Sequence, residues 1–306
     1  RATITRGSMC LGEDDGGLPP RTVIQTEKDI IDDSERVIKA FHDDKEGAMI
    51  QIALAPCSPF SVTPDVMKAS ATLAQQYNVH LHTHLAETHD ETDFCLKLFN
   101  QRPLDYLESV GWLNDKTWLA HGIHFDESEI KRLGDNGVGI SHCPSSNMIL
   151  ASGICPASAL EDAGSPLGIG VDGSASNDGS NMIQEVRMAF LLQRLKDGAE
   201  NISHLDALRW ATKGSAGCLG RRDIGEIAVG MQADIALFNL DEARFSGHGD
   251  PLAALILCGG HKADYVMVAG QWRVEKGEIN GLDMAQLMAE HHQSAKDLAQ
   301  RYFDKC

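Results

Sequence analysis

Residues 79–87 read Val-His-Leu-His-Thr-His-Leu-Ala-Glu, a short strand pattern that ends in polar side chains. Histidines alternate with Leu and Thr through His84, and alternate residues of a strand lie on one face. The preceding residues 63–77 predict a helix, because a Thr-Pro pair is a favourable helix start. Residues 91–99 also have helical periodicity. This region therefore predicts a strand between two helices, the repeating unit of a parallel sheet.

Further strand patterns occur on both sides of this unit, and helical segments separate them. The other strands are predicted at 1–6, 48–55, 117–121, 138–141 and 167–172. Alternating strands and helices indicate parallel β/α units, and five or six consecutive units favour a barrel. We therefore expect an α/β fold of the TIM-like (β/α)8 type. A doubly wound open sheet remains the alternative, since it too places its site at the strand ends.

The pattern changes after residue 218. Short strands with tight turns and no intervening helices are predicted within 219–281, which indicates a small β domain. An amphipathic helix is predicted at 284–302. The expected organisation is a barrel in 1–218, a β segment in 219–281 and a C-terminal helix in 282–306.

The composition favours a small-molecule enzyme. Acidic residues outnumber basic ones by 44 to 27 in 306 residues, giving a formal net charge of −17. Such a surface repels nucleic acid and anionic lipid, so we expect neither as a partner. No apolar run approaches the ~20 residues that span a bilayer, and no signal peptide is recognised. Eight cysteines without a CxxC pair suggest reduced thiols and a cytoplasmic enzyme.

His84 and Glu87 are the first candidates for chemistry. Only the histidine nearest the strand end can reach a site at the barrel mouth, and that residue is His84. A neutral imidazole is a good ligand for zinc or iron, and a nearby carboxylate can transfer protons. The alternative is a buried, hydrogen-bonded histidine without metal, which we favour for His80 and His82.

His121 and Asp172 close two further strands. His121 could orient water or polarise a reacting group, although a structural histidine is the alternative and His124 is a weaker rival. A carboxylate at the end of a buried strand, such as Asp172, must be paired or bound to metal. Asp172 therefore suits both coordination and base catalysis.

Four motifs, in order and spacing, resemble the amidohydrolase superfamily, in its branch of guanine, adenosine-derivative and triazine deaminases. They are HTHLAE at 82–87, LAHGIH at 119–124, SHCPSSNMILASGICP at 141–156 and GIGVDGSASND at 168–178. The segments EIAVGMQADIALFNL at 226–240 and DYVMVAGQW at 264–272 resemble that branch's closing β-sandwich. The resemblance implies a distorted (β/α)8 barrel that holds one divalent metal, usually zinc and sometimes iron.

The resemblance also implies roles for individual residues. His84 falls on a metal ligand, Glu87 on the acid three residues later, and His121 on the histidine that contacts the attacking water. Asp172 falls on a ligand that also acts as the base. The remaining two ligands of the family form a His-x-His pair on the first barrel strand. No such pair precedes the strand at 1–6, so the alignment lacks two barrel strands, and a metal-poor, non-catalytic barrel is an alternative.

A finer resemblance is to the 8-oxoguanine deaminases, carried by residues 7–9, 15–20, 54–60 and 171–178. Cys57 stands where relatives that deaminate S-adenosylhomocysteine tend to carry histidine, so Cys57 is a candidate for substrate binding. A small buried hydrophobic role for Cys57 is equally open. The expected reaction converts 8-oxoguanine to urate and ammonia, with an s-triazine aminohydrolase of the hydroxydechloroatrazine type as the alternative. By analogy with the family we expect a homo-oligomer.

Overall fold

The computed structural model describes residues 1–304, in which six strands form one parallel sheet. Each strand pairs in parallel with the next strand along the chain, so the spatial order is the sequence order. No pairing between the first and sixth strands is seen within residues 1–304. The predicted α/β fold with parallel strands is confirmed, whereas closure into a barrel is not seen in this sheet. The strands are β1 Ala2–Ser8, β2 Ile50–Pro56, β3 His80–Leu85, β4 Thr117–His121, β5 Gly139–His142 and β6 Leu167–Ile169.

Helices connect these strands, and several of them start at a capping side chain. The Thr63 side chain accepts a hydrogen bond from the Val66 N–H and Pro64 is the first helical residue, as predicted. None of the helices within 1–304 is long and apolar enough to cross a bilayer. The helices are α1 Glu27–Phe41, α2 Pro64–Tyr77, α3 His89–Phe99, α4 Pro103–Ser109, α5 Glu127–Asp135, α6 Pro144–Ile149, α7 Ala157–Asp162, α8 Met182–Asp197, α9 His204–Arg209, α10 Ser215–Cys218, α11 Pro251–Leu257 and α12 Met284–Phe303.

The main core lies between the sheet and its helices. Trp112 and Trp210 are fully buried there, and the Trp112 indole donates a hydrogen bond to the Met67 carbonyl at 2.8 Å. A π-helical turn at Trp210–Gly214 joins α9 to α10. A Cβ on Gly214 would lie 1.9 Å from the Leu167 carbonyl oxygen, so only glycine permits this turn to approach β6.

A separate antiparallel sheet follows, with strand order β10-β9-β8-β7. Two expectations for this region are wrong. One of the short strands expected within 219–281 was 226–232, but these residues form bends and a turn. Helix α11 lies between β7 and β8 although no helix was expected. Asp250 caps α11 through the Leu252 and Ala253 N–H groups, with Pro251 as its first residue, a start signal that an apolar run obscures. The strands are β7 Ile235–Leu237, β8 Tyr265–Val268, β9 Gln271–Glu275 and β10 Glu278–Ile279.

The division into 1–218, 219–281 and 282–306 stays a prediction. The predicted C-terminal helix corresponds to α12, whose side chains are exposed along its described length. The last two residues of the predicted segment, 305–306, lie outside the described residues.

A buried ion pair joins the chain after α10 to the loop before β2. Arg221 Nη2 lies 2.6 Å from Asp223 Oδ2, and the same oxygen accepts the Gly47 N–H at 2.9 Å. Arg221 also donates to the Ala48 carbonyl at 3.2 Å. The Arg221 guanidinium lowers the pKa of Asp223 to about 2. Because both charges are buried, removing one partner would leave the other without its counter-charge, which costs more than breaking an exposed pair.

We predict that Asp223→Asn lowers the free energy of unfolding by about 2–3 kcal/mol at pH 7. The folded pKa of Asp223 lies below its unfolded value, so its contribution is present above about pH 4 and is lost as pH falls toward 2. Urea denaturation at pH 7 and pH 3 should therefore show a smaller difference at pH 3. Asp14→Asn, which breaks an exposed pair with Arg21, is the control and should change little. An effect of equal size at both pH values would contradict this account.

Candidate active site

The carboxyl ends of β3, β4 and β6 bring three predicted residues together. His84, His121 and Asp172 each present one donor atom, and these atoms lie within 4.8 Å of one another. Glu87 lies beside them, with Oε2 3.6 Å from His121 Nε2. Asp172 Oδ2 lies 3.9 Å from the same nitrogen. Two imidazoles and two carboxylates thus converge on one small volume at the edge of the sheet.

The backbone is strained where this cluster forms. His121 and Asp172 adopt left-handed conformations, with φ of 73° and 63°, and Ala86 has a φ of 54°. Each such non-glycine residue costs of the order of 1–3 kcal/mol, and such strain concentrates at functional sites. His121 is the last residue of β4 and Asp172 follows the end of β6 by three residues, so these left-handed residues lie where the chain leaves the sheet.

Hydrogen bonds fix the orientation of both imidazoles. His84 Nδ1 lies 2.6 Å from the Cys57 carbonyl oxygen, which can only accept, so Nδ1 carries the proton. His121 Nδ1 donates to Asn147 Oδ1 at 2.8 Å. In the neutral form of each imidazole, Nδ1 carries the proton and Nε2 is the acceptor. Burial alone would lower the pKa of His84. The Cys57 thiol and carbonyl and the Asp172 carboxylate outweigh this effect and raise the pKa to about 9.

Serine hydroxyl groups hold the Asp172 carboxylate. Ser146 donates to Oδ2 at 2.5 Å, and Ser176 lies 3.4 Å from the same oxygen and 2.8 Å from the Ser146 hydroxyl. Burial opposes ionisation of Asp172, but the Ser146 hydroxyl and the Gly173 N–H outweigh it and lower its pKa. Asp172 is therefore ionised and oriented at neutral pH.

Cys57 follows β2 and lies at the border of the cluster. Its Sγ is 4.0 Å from His84 Nδ1. Together with Ser8, Met9 and Gln25 it lines a cavity of about 390 Å³ that also reaches His84. This volume is within the range of small-molecule pockets.

Comparison with known proteins identifies the family. The profile of the amidohydrolase family matches residues 6–281. The chain belongs to the amidohydrolase family. It is 63% identical over 298 residues to an 8-oxoguanine deaminase of Pseudomonas aeruginosa, covering 97% of this chain and 66% of that protein. It is 37% identical over 290 residues to a hydroxydechloroatrazine ethylaminohydrolase of Pseudomonas sp. strain ADP, and the match covers 92% of this chain and 59% of that protein.

Solved amidohydrolase structures share the fold. An atrazine chlorohydrolase from Arthrobacter aurescens complexed with zinc has a TM-score of 0.89 at 35% identity, covering 93% of this chain and 63% of its own. An adenosine deaminase from Xanthomonas campestris with bound zinc has a TM-score of 0.90 at 31% identity, and the match covers 98% of this chain and 66% of that one. This amidohydrolase chain thus spans about two thirds of the length of the relatives that it matches.

The other histidines of the predicted strand lie outside the donor cluster. His82 stacks on Trp118 at 4.7 Å between ring centroids, and its Nδ1 lies 3.1 Å from the Trp118 carbonyl. Burial lowers the pKa of both His80 and His82 to about 4. These observations agree with buried, neutral histidines. His124 was the weaker alternative to His121. Its Nε2 lies 2.9 Å from the Ser152 carbonyl oxygen, and it is not a member of the described cluster.

Sequence reasoning missed the residues that hold the cluster in place. Ser146 and Asn147 lie on the short helix α6, which was not predicted although Pro144 stands at its first position. Both residues belong to the motif at 141–156, but their contacts with Asp172 and His121 depend on the packing of separate loops.

We predict that Asn147→Ala lowers the free energy of unfolding by about 1–3 kcal/mol, because the buried His121 Nδ1–H loses its acceptor. Urea denaturation measures this change, and ¹⁵N NMR of histidine reports the tautomer of His121. Asn136→Ala, at an exposed asparagine that caps α5, is the control and should cost less. Equal unfolding free energies and an unchanged tautomer in Asn147→Ala would contradict the assigned role.

Proposed function

We propose that this amidohydrolase is a hydrolytic deaminase that converts 8-oxoguanine and water to urate and ammonia. The observation that carries the proposal is the convergence of His84, Glu87, His121 and Asp172 at one sheet edge. The 63% identity to an 8-oxoguanine deaminase supports the choice of substrate.

The chemistry of the donors fits a divalent metal. Imidazole nitrogen and carboxylate oxygen are ligands of zinc, and iron(II) accepts the same donors. The Nδ1 contacts leave Nε2 of His84 free to coordinate, as is usual for metal-binding histidines. We propose that His84 and Asp172 hold one ion, with zinc first and iron second. Since the coordinating nitrogen must be unprotonated, binding would release the proton of His84 Nε2 while Nδ1 keeps its own.

When bound, the metal supplies Lewis acidity, which makes water a nucleophile at neutral pH. The chain's residues then orient the water and move protons. We propose that Asp172 takes the proton of the attacking water at Oδ2, while His121 orients that water through Nε2. Glu87 would donate a proton to the ring nitrogen beside the amino-bearing carbon. As the C–O bond forms and the C–N bond breaks, Asp172 would pass its proton to the leaving amino group and Glu87 would regain one from the new hydroxyl group. Ammonia leaves, so the reaction consumes one water and needs no oxidant.

A small neutral heterocycle suits the space beside the cluster. Cys57, Ser8 and Gln25 offer polar groups around the cavity of about 390 Å³, and no lysine or arginine is among its described lining residues. We propose that Cys57 contacts the substrate ring there.

We also propose that the protein forms a closed TIM-like barrel with a β-sandwich and assembles as a homo-oligomer. The structural similarity to the zinc-complexed atrazine chlorohydrolase, with a TM-score of 0.89, supports the barrel.

A second candidate is an s-triazine aminohydrolase. The 37% identity to a hydroxydechloroatrazine ethylaminohydrolase favours it, although this identity is well below that to the 8-oxoguanine deaminase. The two candidates share the same proton transfers and differ in the ring that the Cys57 cavity accepts.

We predict that the zinc-loaded protein forms urate and ammonia in equal amounts from 8-oxoguanine. Asp172→Asn should lower kcat by at least about a hundredfold, because it removes a base. Urate absorbance and a coupled ammonia assay measure the rate, and metal analysis measures the zinc content. Asp178→Asn, at an exposed carboxylate of the same loop, is the matched control and should retain activity.

The outcomes separate the alternatives. Urate formation that disappears in Asp172→Asn supports the proposal. Bound zinc with ethylamine release from a hydroxytriazine, and no urate, would replace it with the second candidate. A chain that neither binds zinc nor releases ammonia would contradict both and leave the metal-poor, non-catalytic alternative.

A further inference from the structure

Four carboxylates of the described chain are buried, and they differ in their partners. Glu129 pairs with Arg102 at 2.7 Å, and Asp223 pairs with Arg221 at 2.6 Å. Within residues 1–304, Glu91 and Glu185 have no Lys, Arg or His partner within 4.0 Å. A buried carboxylate without a cation is costly, and burial raises the pKa of Glu91 to about 7. We therefore expect other hydrogen-bond donors to offset the burial of such a carboxylate.

Glu91 binds the backbone immediately before its own helix. Its Oε1 accepts the Ala86 N–H at 3.0 Å, and its Oε2 accepts the Glu87 N–H at 3.1 Å. Glu91 is the third residue of α3, where a glutamate ordinarily bonds the N-cap N–H. Glu129 does so in α5, accepting the Asp126 N–H at 2.9 Å. The Glu91 carboxylate instead reaches beyond the N-cap of α3 to the loop after β3.

The loop that Glu91 binds carries the proposed proton donor. The Ala86 carbonyl accepts the N–H groups of Ile123 and His124, each at 2.9 Å. The peptide group between Ala86 and Glu87 is therefore held at its carbonyl by these two N–H groups and at its N–H by Glu91. Ala86 itself is left-handed, with φ of 54°. The direction of the Glu87 side chain toward His121 therefore depends on a backbone turn that Glu91 fixes.

We propose that Glu91 is a positioning residue, which holds the peptide N–H groups of Ala86 and Glu87 and so aims the Glu87 carboxyl at the reacting ring. This inference rests on the proposed function, in which Glu87 transfers a proton.

The test is a double-mutant cycle in the zinc-loaded protein. Glu91→Gln keeps the shape of the side chain, but its amide group accepts only one of the two N–H groups and opposes the other. We expect kcat for urate formation to fall about 10- to 100-fold, since a misaimed group costs that much, with KM and zinc content retained. In the Glu87→Gln background, adding Glu91→Gln should cause no further loss, because Glu91 acts through Glu87.

Glu129→Gln is the matched control, since Glu129 is also a buried glutamate at the third position of a helix. It should leave kcat unchanged even where it lowers stability. If Glu91→Gln does not fold, Glu91→Asp keeps the charge on a shorter side chain and enters the same cycle. Two results would overturn the inference: an unchanged kcat in the Glu91 variant, or a loss of kcat in the Glu87→Gln background as large as that in the wild-type background. Urate formation by the wild-type protein would uphold the proposed function in either case. A wild-type protein without urate formation would instead show that the proposed function itself has failed.

Discussion

Parallel pairing of six consecutive strands places every strand's carboxyl end along one edge of the sheet, and the candidate site depends on this constraint. His84, His121 and Asp172 belong to different β/α units, yet their donor atoms lie within 4.8 Å of one another. Left-handed turns at His121 and Asp172 complete the arrangement. The strain of these turns is sustained by the packed strands on either side.

The surrounding polar groups determine what this cluster can do. A backbone carbonyl and an asparagine oxygen fix the imidazole tautomers, and serine hydroxyls hold Asp172 in its ionised form. The side chains of the cluster are therefore oriented by the protein itself, as the proposed coordination and proton transfer require. Glu91 extends the same principle to the loop that carries Glu87, at the cost of a buried charge.

The sequence was sufficient to predict where the strands lie, within a few residues at their ends, but not the contacts between loops. The strand at 117–121 and the helix starting at Pro64 follow local rules of periodicity and capping, so both are found where expected. His84, His121 and Asp172 could be singled out because polar residues at strand ends converge in parallel folds. The strand predicted at 167–172 ends at Ile169, and Asp172 adopts a left-handed turn that periodicity cannot reveal. The contacts of Asn147 and Glu91 also depend on tertiary packing, which a single sequence does not encode locally.

The central claim is that the ends of β3 and β6 form a metal site of nitrogen and oxygen donors. Zinc K-edge X-ray absorption of the zinc-loaded protein tests it most directly. The account predicts a first shell at about 2.0–2.1 Å with imidazole scattering, which weakens in His84→Gln. A sulfur shell at about 2.3 Å would show that a cysteine thiolate binds the metal, and would contradict the account.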